Sequence, residues 1–263
     1  MEVHILEALD DNYMYLIVDA SSREAAVVDP AEAEKAVAAA SRHNATLTTV
    51  LCTHHHWDHA GGNDAMKALV PGIEVVGGER DAIQGKTRDV RDDETLRIGA
   101  LTVRCILTPC HTAGHISYMV TAPGATPAVF TGDVLFVCGC GRFFEGGPAD
   151  MHRSLSKLGA LPPETLVYVG HEYTLKNLSF AAAVEPQNRS LQERIAWARK
   201  RREAGEFTVP STIGSELACN PFMRVCQPCV QEYCGTMNTG GTGGGEVPVE
   251  TMRILRGKKD NFK

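Results

Sequence analysis

The chain begins with short apolar stretches that alternate with polar turns. Residues 3–6, 13–18 and 25–28 are rich in β-branched and aromatic side chains and are bounded by polar clusters, which predicts three strands. The alanine-rich segment 31–43 has helical spacing, and the apolar run 47–51 after it predicts a buried strand. The N-terminal part is therefore expected to mix strands and helices.

Four predicted strands are each followed closely by His or Asp beside Gly, Pro or Thr. These strands end near residues 51, 107, 130 and 169. The groups that follow them are the histidine-rich stretch 53–63, His111, Asp133 and His171. Open α/β sheets bind ligands at the carboxyl ends of their strands, so the recurrence predicts one shared site.

The histidine-rich stretch has the sequence THHHWDHAGGN. Its imidazole and carboxylate groups suit zinc, iron and manganese. In an extended loop His54 and His56 point the same way, because the side-chain period is two. Asp58 and His59 follow a bend and can face a second point. The alternatives are a surface histidine cluster and an expression tag, but a tag would lie at a terminus without a preceding strand. The pattern favours a metal site with two ligand pairs.

From residue 174 the pattern changes to helix. Residues 175–184 and 190–204 have helical spacing, and residues 208–212 predict a helix start. The glycine-rich stretch 239–245 predicts a flexible loop, and the tail that follows is basic. We therefore expect a mixed strand-and-helix domain at residues 1–173 and a mainly helical domain at residues 174–263.

Composition narrows the classes of function. A net charge of −6 argues against a nucleic-acid binder, which normally carries a basic surplus. No apolar run approaches the roughly 18 residues that a membrane span needs. No signal or transit segment is recognisable, so a cytoplasmic location is expected. The nine cysteines fit reduced thiols better than a disulfide framework, with Cys226-x2-Cys229 open as a zinc or redox pair.

The spaced histidines and aspartates resemble the metallo-β-lactamase superfamily, and within it glyoxalase II, the hydroxyacylglutathione hydrolases. The similarity extends beyond the histidine-rich stretch to residues 11–13, 108–115, 130–133, 139–142, 170–173, 209–212 and 220–224 and to the basic tail. It covers essentially the whole chain. The resemblance implies an α+β fold, in which a metallo-β-lactamase αββα sandwich, the catalytic domain at residues 1–173, is followed by a C-terminal helical domain at residues 174–263 that binds substrate.

The resemblance also implies two metal ligand triads and a bridge: His54, His56 and His111 for the first metal, Asp58, His59 and His171 for the second, and Asp133 between them. Two transition-metal ions per chain are expected, zinc first, with iron or manganese as alternatives. Water on such an ion reaches a pKa of about 7, which makes hydroxide available at neutral pH. Asp58 and Asp133 are expected to orient that hydroxide and so to be catalytic.

Five residues are implied to line a glutathione site: Arg142, Phe144, Tyr173, Arg256 and Lys259. Cations suit this ligand because glutathione carries carboxylates. The alternative is a solvated basic tail. Phe144 and Arg142 depart from the family pattern, in which tyrosine and lysine are usual. These departures affect contacts with the thiol part of the substrate, not hydrolysis.

The expected function is hydrolysis of S-(2-hydroxyacyl)glutathione, chiefly S-D-lactoylglutathione, to glutathione and D-lactate, the second step of methylglyoxal detoxification. A thioester suits the machinery because its leaving thiol has a pKa near 8.5 and needs no strong general acid. The alternatives are a persulfide dioxygenase with a single iron and a non-catalytic metal-binding domain. The expected partner is a small-molecule glutathione thioester, with no nucleic acid and no membrane, and the chain is expected to be a monomer.

Overall fold

The computed structural model describes residues 1–237 and 246–262. Its strands are β1 (Glu2–Ala8), β2 (Asn12–Val18), β3 (Glu24–Val28), β4 (Thr46–Leu51), β5 (Glu74–Gly78), β6 (Arg88–Val90), β7 (Thr95–Ile98), β8 (Leu101–Leu107), β9 (Ile116–Thr121), β10 (Ala128–Phe130), β11 (Leu135–Phe136), β12 (Gly139–Cys140), β13 (Leu166–Tyr168) and β14 (Ser211–Thr212). Its helices are α1 (Ala33–Arg42), α2 (Trp57–Ala60), α3 (Asn63–Leu69), α4 (Pro148–Gly159), α5 (Thr174–Val184), α6 (Arg189–Glu203), α7 (Ile213–Cys219), α8 (Pro228–Cys234) and α9 (Glu246–Asp260). The predicted flexible loop at 239–245 lies outside the described residues.

The chain divides into two compact units. The first unit comprises Met1–Leu107, Thr112–Asp133 and Tyr168–Glu172. The second comprises Thr108–His111, Val134–Val167 and the chain from Tyr173 onward. The domain boundary expected between residues 173 and 174 stays a prediction.

A six-stranded sheet in the first unit has the order β1-β2-β3-β4-β5-β6. The pairs β1–β2 and β2–β3 are antiparallel, whereas β3 to β6 are parallel. Every residue of β2 is buried, and Ala36 and Ala39 of α1 belong to the same core cluster as Val50 of β4. Because small alanines let α1 approach the sheet closely, the apolar β4 is fixed and its carboxyl end carries the histidine-rich stretch into a defined place.

Strands β7 to β10 form consecutive antiparallel pairs in the same unit. Since β8 and β10 are both antiparallel to β9, they run parallel to each other. Their carboxyl ends therefore lie at one edge, as the recurrence of polar groups after strands predicts. The predicted strand ends near residues 107 and 130 are confirmed, because β8 ends at Leu107 and β10 at Phe130.

The second unit contains the β11–β12 hairpin, the β13–β14 pair and helices α4 to α9. The predicted helical segments 175–184 and 190–204 are α5 and α6. The predicted helix start near residue 212 is also confirmed, because the Thr212 side chain accepts a hydrogen bond from the amide of Ser215 and caps α7. Among the described residues, no helix has both the length and the apolar character to cross a membrane.

Candidate metal centre and substrate-binding residues

The histidine-rich stretch leaves β4 as an extended chain and then turns into a short helix. The Thr53 amide and hydroxyl both donate to the Asp29 carboxylate, each at 2.7 Å, which anchors the start of the stretch. The extended conformation predicted here ends at His56. From Trp57 to Ala60 the backbone forms the single turn of α2, with the Ala60 amide donating to the His56 carbonyl at 2.8 Å. The predicted bend is therefore a helical turn.

Within the first unit, ligand-type atoms converge in two overlapping groups. The ligand atoms of Asp58, His59 and His171 all lie within 4.8 Å of one another, and so do those of His54, His59 and Asp133. His59 is common to both groups. All these residues are buried except Asp58, which is partly exposed. The structure thus brings together five of the predicted ligands from three separate parts of the chain.

His56 is half-buried beside this cluster. Its Nδ1 lies 3.1 Å from Nε2 of His54, so the two side chains meet on one side of the extended segment as the alternation predicts. Two neighbouring histidines, His55 and His115, belong to none of the candidate metal-binding groups found among the described residues. His55 bonds to the Asp81 carboxylate, and His115 accepts a hydrogen bond from the Asp133 amide at 3.3 Å.

Three residues that orient the cluster were not predicted as site residues: Asp11, Asn12 and Asp29. The Asp29 carboxylate lies 3.0 Å from Nδ1 of His59, and the Asp11 carboxylate lies 2.8 Å from Nδ1 of His171. A carboxylate on Nδ1 fixes the ring and leaves Nε2 to face a metal. Asn12 donates to the Asp58 carboxylate at 3.1 Å. Asp11 and Asn12 lie in a stretch that carries the family resemblance, whereas the local signal for Asp29 is its position at the end of a strand.

The buried carboxylate of Asp133 needs nearby positive charge to stay ionised. Burial opposes ionisation of Asp133, but the charges of His59 and His171 outweigh it and hold its pKa well below the usual range. Burial likewise opposes protonation of His171, yet Asp133, with hydrogen bonds to Asp133 and Asp58, raises its pKa to about 10. The pKa of His59 lies well above its ordinary value, because Asp133 and Asp29 outweigh burial. Metal cations would meet the same demand for positive charge.

Glycine is required where the backbone approaches these side chains. A Cβ at Gly170 would lie 2.2 Å from Oδ1 of Asp133. Gly132 has a positive φ of 45°, and a Cβ there would lie 2.5 Å from the Thr53 hydroxyl. The two glycines therefore let the loops after β10 and β13 close around Asp133.

In the second unit, His111 is held by the segment that follows the β11–β12 hairpin. Its Nδ1 lies 3.1 Å from the Arg142 carbonyl, and its ring centroid lies 5.1 Å from that of Phe144. Because a carbonyl can only accept, Nδ1 carries the proton and Nε2 keeps the lone pair that a metal ligand needs.

The five predicted substrate-binding residues all lie in the second unit. The side chains of Arg142 and Phe144 are exposed, whereas Arg256 is only 8% exposed. Arg256 donates to the Cys140 carbonyl at 2.9 Å and to Asp260 at 2.8 Å, so its guanidinium already bonds within the protein. Arg142 also lies 3.5 Å from the Asp260 carboxylate, so both arginines meet at this aspartate.

Lys259 and Tyr173 are partly exposed. The Lys259 ammonium donates to the Lys176 carbonyl at 3.1 Å and lies 5.4 Å from the Phe180 ring centroid. Burial, followed by the nearby Arg256 charge, lowers the pKa of Lys259 to about 8. The Tyr173 ring packs edge-on against Phe136, with centroids 5.2 Å apart.

The chemistry of the donor set agrees with a transition-metal site. The candidate groups found among the described residues combine imidazole nitrogens with carboxylate oxygens and contain no cysteine. This set lacks the thiolates typical of structural zinc sites and suits zinc, iron or manganese at a catalytic centre.

Comparisons with known proteins agree with this architecture. Residues 9–171 match the family model of the metallo-beta-lactamase superfamily, and residues 172–262 match that of the hydroxyacylglutathione hydrolase C-terminus. The crystal structure of ETHE1 from Myxococcus xanthus superposes with a TM-score of 0.67 and 27% identity, covering 97% of this chain and 98% of that one. The fold class is therefore α+β, a metallo-β-lactamase fold followed by a C-terminal helical domain, as expected.

Full-length relatives narrow the family further. The hydroxyacylglutathione hydrolase, cytoplasmic, of Arabidopsis thaliana is 50% identical and covers 100% of both chains. The hydroxyacylglutathione hydrolase of Pseudomonas paraeruginosa is 43% identical, again over 100% of both. The chain belongs to the hydroxyacylglutathione hydrolase family of the metallo-β-lactamase superfamily.

Proposed function

We propose that this protein is a metal-dependent thioester hydrolase that converts S-(2-hydroxyacyl)glutathione, chiefly S-D-lactoylglutathione, to glutathione and a 2-hydroxy acid. This reaction is the second step of methylglyoxal detoxification. The observation that carries the proposal is the convergence of Asp58, His59, Asp133 and His171 in a chain whose full-length relatives are named hydroxyacylglutathione hydrolases.

The proposal includes two transition-metal ions per chain, zinc first, with iron or manganese as alternatives. The proposed ligands are His54, His56 and His111 for one ion, Asp58, His59 and His171 for the other, and Asp133 for both. Two such ions bound there would supply Lewis-acid chemistry, which lowers the pKa of water and polarises a carbonyl. The carboxylates that fix the rings of His59 and His171 support this assignment.

The protein's own groups do the positioning. Asp58 and Asp133 are the proposed catalytic carboxylates, which accept hydrogen bonds from the attacking water and so aim it at the carbonyl carbon. Asn12 holds Asp58 for this task, since its amide donates to that carboxylate at 3.1 Å. The leaving thiol has a pKa of about 8.5, so departure as a thiolate needs no strong general acid.

The glutathione part is proposed to bind to the five residues of the second unit named above. The exposed Arg142 and the Lys259 ammonium supply positive charge for glutathione carboxylates. Phe144 and Tyr173 supply aromatic surface. Arg256 contributes by holding Asp260 and the Cys140 carbonyl, beside which Arg142 lies.

Two alternatives remain as outcomes of the test. The persulfide dioxygenase alternative is not favoured, because relatives 43–50% identical over the full chain carry hydroxyacylglutathione hydrolase names. A non-catalytic metal-binding domain would not need the complete ligand set. We further propose that the protein is a monomer, because one chain supplies every proposed site residue. We also propose a cytoplasmic location, which the name of the Arabidopsis thaliana relative supports, and a small-molecule substrate without nucleic acid or membrane.

The test is turnover by the purified, metal-loaded protein. With S-D-lactoylglutathione we expect D-lactate and free glutathione thiol to appear in equal amounts, and chelation to stop both. Oxygen uptake with glutathione persulfide, without thioester hydrolysis, would establish the dioxygenase instead. Bound metal without either activity would establish the non-catalytic domain.

A further inference from the structure

The short β11–β12 hairpin of the second unit depends on contacts from outside itself. Its strands contain two residues each, and such a hairpin is at best marginally stable alone. Cys138 in its turn has a φ of 53°, a left-handed conformation that its Cβ disfavours. Something in the surrounding structure must therefore hold the turn.

Three buried side chains from α5, α7 and the end of α7 hold it, and together we call them the hairpin clamp: Asn177, Glu216 and Asn220. The Asn177 side chain donates to the Val137 carbonyl at 3.2 Å, and the Asn220 side chain donates to the Gly139 carbonyl at 2.9 Å. The Glu216 carboxylate accepts from the Cys138 amide at 2.8 Å. Three consecutive residues of the hairpin are thus each bonded to the clamp.

The hairpin clamp is buried, and two of its members, Glu216 and Asn220, bond to each other. Asn177, Glu216 and Asn220 are 5%, 0% and 0% exposed. Glu216 also accepts hydrogen bonds from the Ser211 hydroxyl and from Asn220, and burial raises its pKa. Burying a carboxyl group costs free energy unless it is well bonded. A satisfied buried network of this kind rigidifies whatever it contacts.

The chain leaves the hairpin directly into the proposed substrate-binding residues. Cys140 is followed within four residues by Arg142 and Phe144. The same segment borders a proposed metal ligand, because the Arg142 carbonyl accepts from His111 and Phe144 packs on its ring. The position of this segment therefore depends on the hairpin before it.

We propose that Asn177, Glu216 and Asn220 are positioning residues for substrate binding, which fix the hairpin and thereby place Arg142 and Phe144 against the glutathione part of the substrate. This inference rests on the proposed function. The clamp residues are buried and act through the hairpin backbone. Their loss should weaken binding of glutathione thioesters much more than it weakens the chemical step.

The first test uses two substrates at saturating zinc: S-D-lactoylglutathione and S-D-lactoyl-N-acetylcysteamine, which lacks the glutamyl and glycine parts. Glu216→Ala should raise KM for the glutathione substrate about tenfold, equivalent to about 1.4 kcal/mol. The kcat/KM for the short thioester should change less than about threefold. Glu216→Gln can still bond to Ser211 and to the Cys138 amide, so it should restore a KM near that of wild type.

The second test decides the matter even if Glu216→Ala does not fold. A Cβ at Gly139 would lie 2.5 Å from the Asn177 amide, so Gly139→Ala should displace the hairpin and raise KM. Adding Asn177→Ala removes the clash, and the double variant should return to the KM of Asn177→Ala alone. Asn188→Ala is the matched control, because its amide donates to the Ala218 carbonyl at 2.9 Å without touching the hairpin. It should lower Tm and leave KM unchanged.

The outcomes separate the two proposals. If wild type turns over S-D-lactoylglutathione and Gly139→Ala keeps the wild-type KM, the positioning role is overturned while the proposed function stands. An equal fall in kcat/KM on both substrates would also overturn it, because it would show a general structural defect. If wild type does not hydrolyse the thioester, the proposed function fails first.

Discussion

Replacing Asp29 with asparagine isolates the group that orients His59. One carboxylate oxygen of Asp29 accepts from the Thr53 amide at 2.7 Å. The other accepts from the Thr53 hydroxyl at 2.7 Å and lies 3.0 Å from Nδ1 of His59. Asp29 has a φ of 48°, a conformation that asparagine also tolerates, so the substitution should leave the backbone in place.

The NH2 of the new asparagine side chain must face either the Thr53 amide or Nδ1 of His59. If its NH2 faced the Thr53 amide, two donors would oppose each other in a buried place. If it faces His59 instead, the Thr53 hydroxyl can turn to accept from it and to donate to Nδ1 of His54, 2.9 Å away, but Nδ1 of His59 must then also accept. The His59 proton moves to Nε2, and that nitrogen is lost as a metal ligand.

The expected magnitude follows from the loss of this orienting bond. Removal of a partner that orients a metal-ligating histidine typically costs about 10- to 100-fold in metal affinity. That range corresponds to about 1.4 to 2.7 kcal/mol. Asp29→Asn should therefore bind zinc about 10- to 100-fold more weakly, and activity at limiting zinc should fall accordingly. Excess zinc should restore part of it.

The assay is competition for zinc against a chromogenic chelator, with turnover measured at limiting and excess metal. Asp81→Asn is the matched control, because Asp81 is a buried aspartate whose carboxylate bonds to His55, which is not a proposed ligand. It should lose stability without losing zinc. Wild-type zinc affinity in Asp29→Asn, or an equal loss in both variants, would refute the reasoning.

Three further predictions concern the catalytic carboxylate and the basic helix. Asp58→Asn should lower kcat by about 10²–10³ with the fold retained, and steady-state turnover within a few-fold of wild type would contradict the role of Asp58. Arg256→Ala combined with Lys259→Ala should raise KM for S-D-lactoylglutathione about tenfold or more with kcat much less affected, because the first change releases Asp260 beside Arg142 and the second removes a charge. An unchanged KM would return the tail to the solvated alternative. Since the pKa of Lys259 is lowered to about 8, its charge is present below that pH and lost above it. Wild-type kcat/KM should therefore fall as pH rises through about 8, and a pH profile of Lys259→Arg should lack that fall.

Much of the fold was predictable because local patterns specify it. The predicted strand at 13–18 and the predicted helix at 175–184 each match the observed element to within one residue, since apolar periodicity and flanking turn residues act over short distances. The histidine-rich stretch, Asp133 and His171 each follow a strand end and meet in one cluster of the first unit, as the recurrence of polar groups after strands predicts.

The parts that escaped prediction depend on distant residues. Strand β6 is a short, mainly polar segment, and it becomes a strand by pairing with β5. Asp29 and Asp11 act on histidines 30 and 160 residues away, so no local spacing marks them as site residues. The helical turn of α2 likewise follows a loop anchored by Asp29. Contacts of such long range require the folded structure.

The measurement that tests the central claim most directly is a zinc titration of metal-free protein, followed by turnover of S-D-lactoylglutathione. The expectation of two ions rests on two proposed ligand triads that share Asp133, and the triad Asp58, His59 and His171 lies together in the first unit. We predict that hydrolysis rises to its maximum at two equivalents of zinc per chain, with D-lactate as product. Full activity at one equivalent, or two bound ions without thioester hydrolysis, would contradict the account.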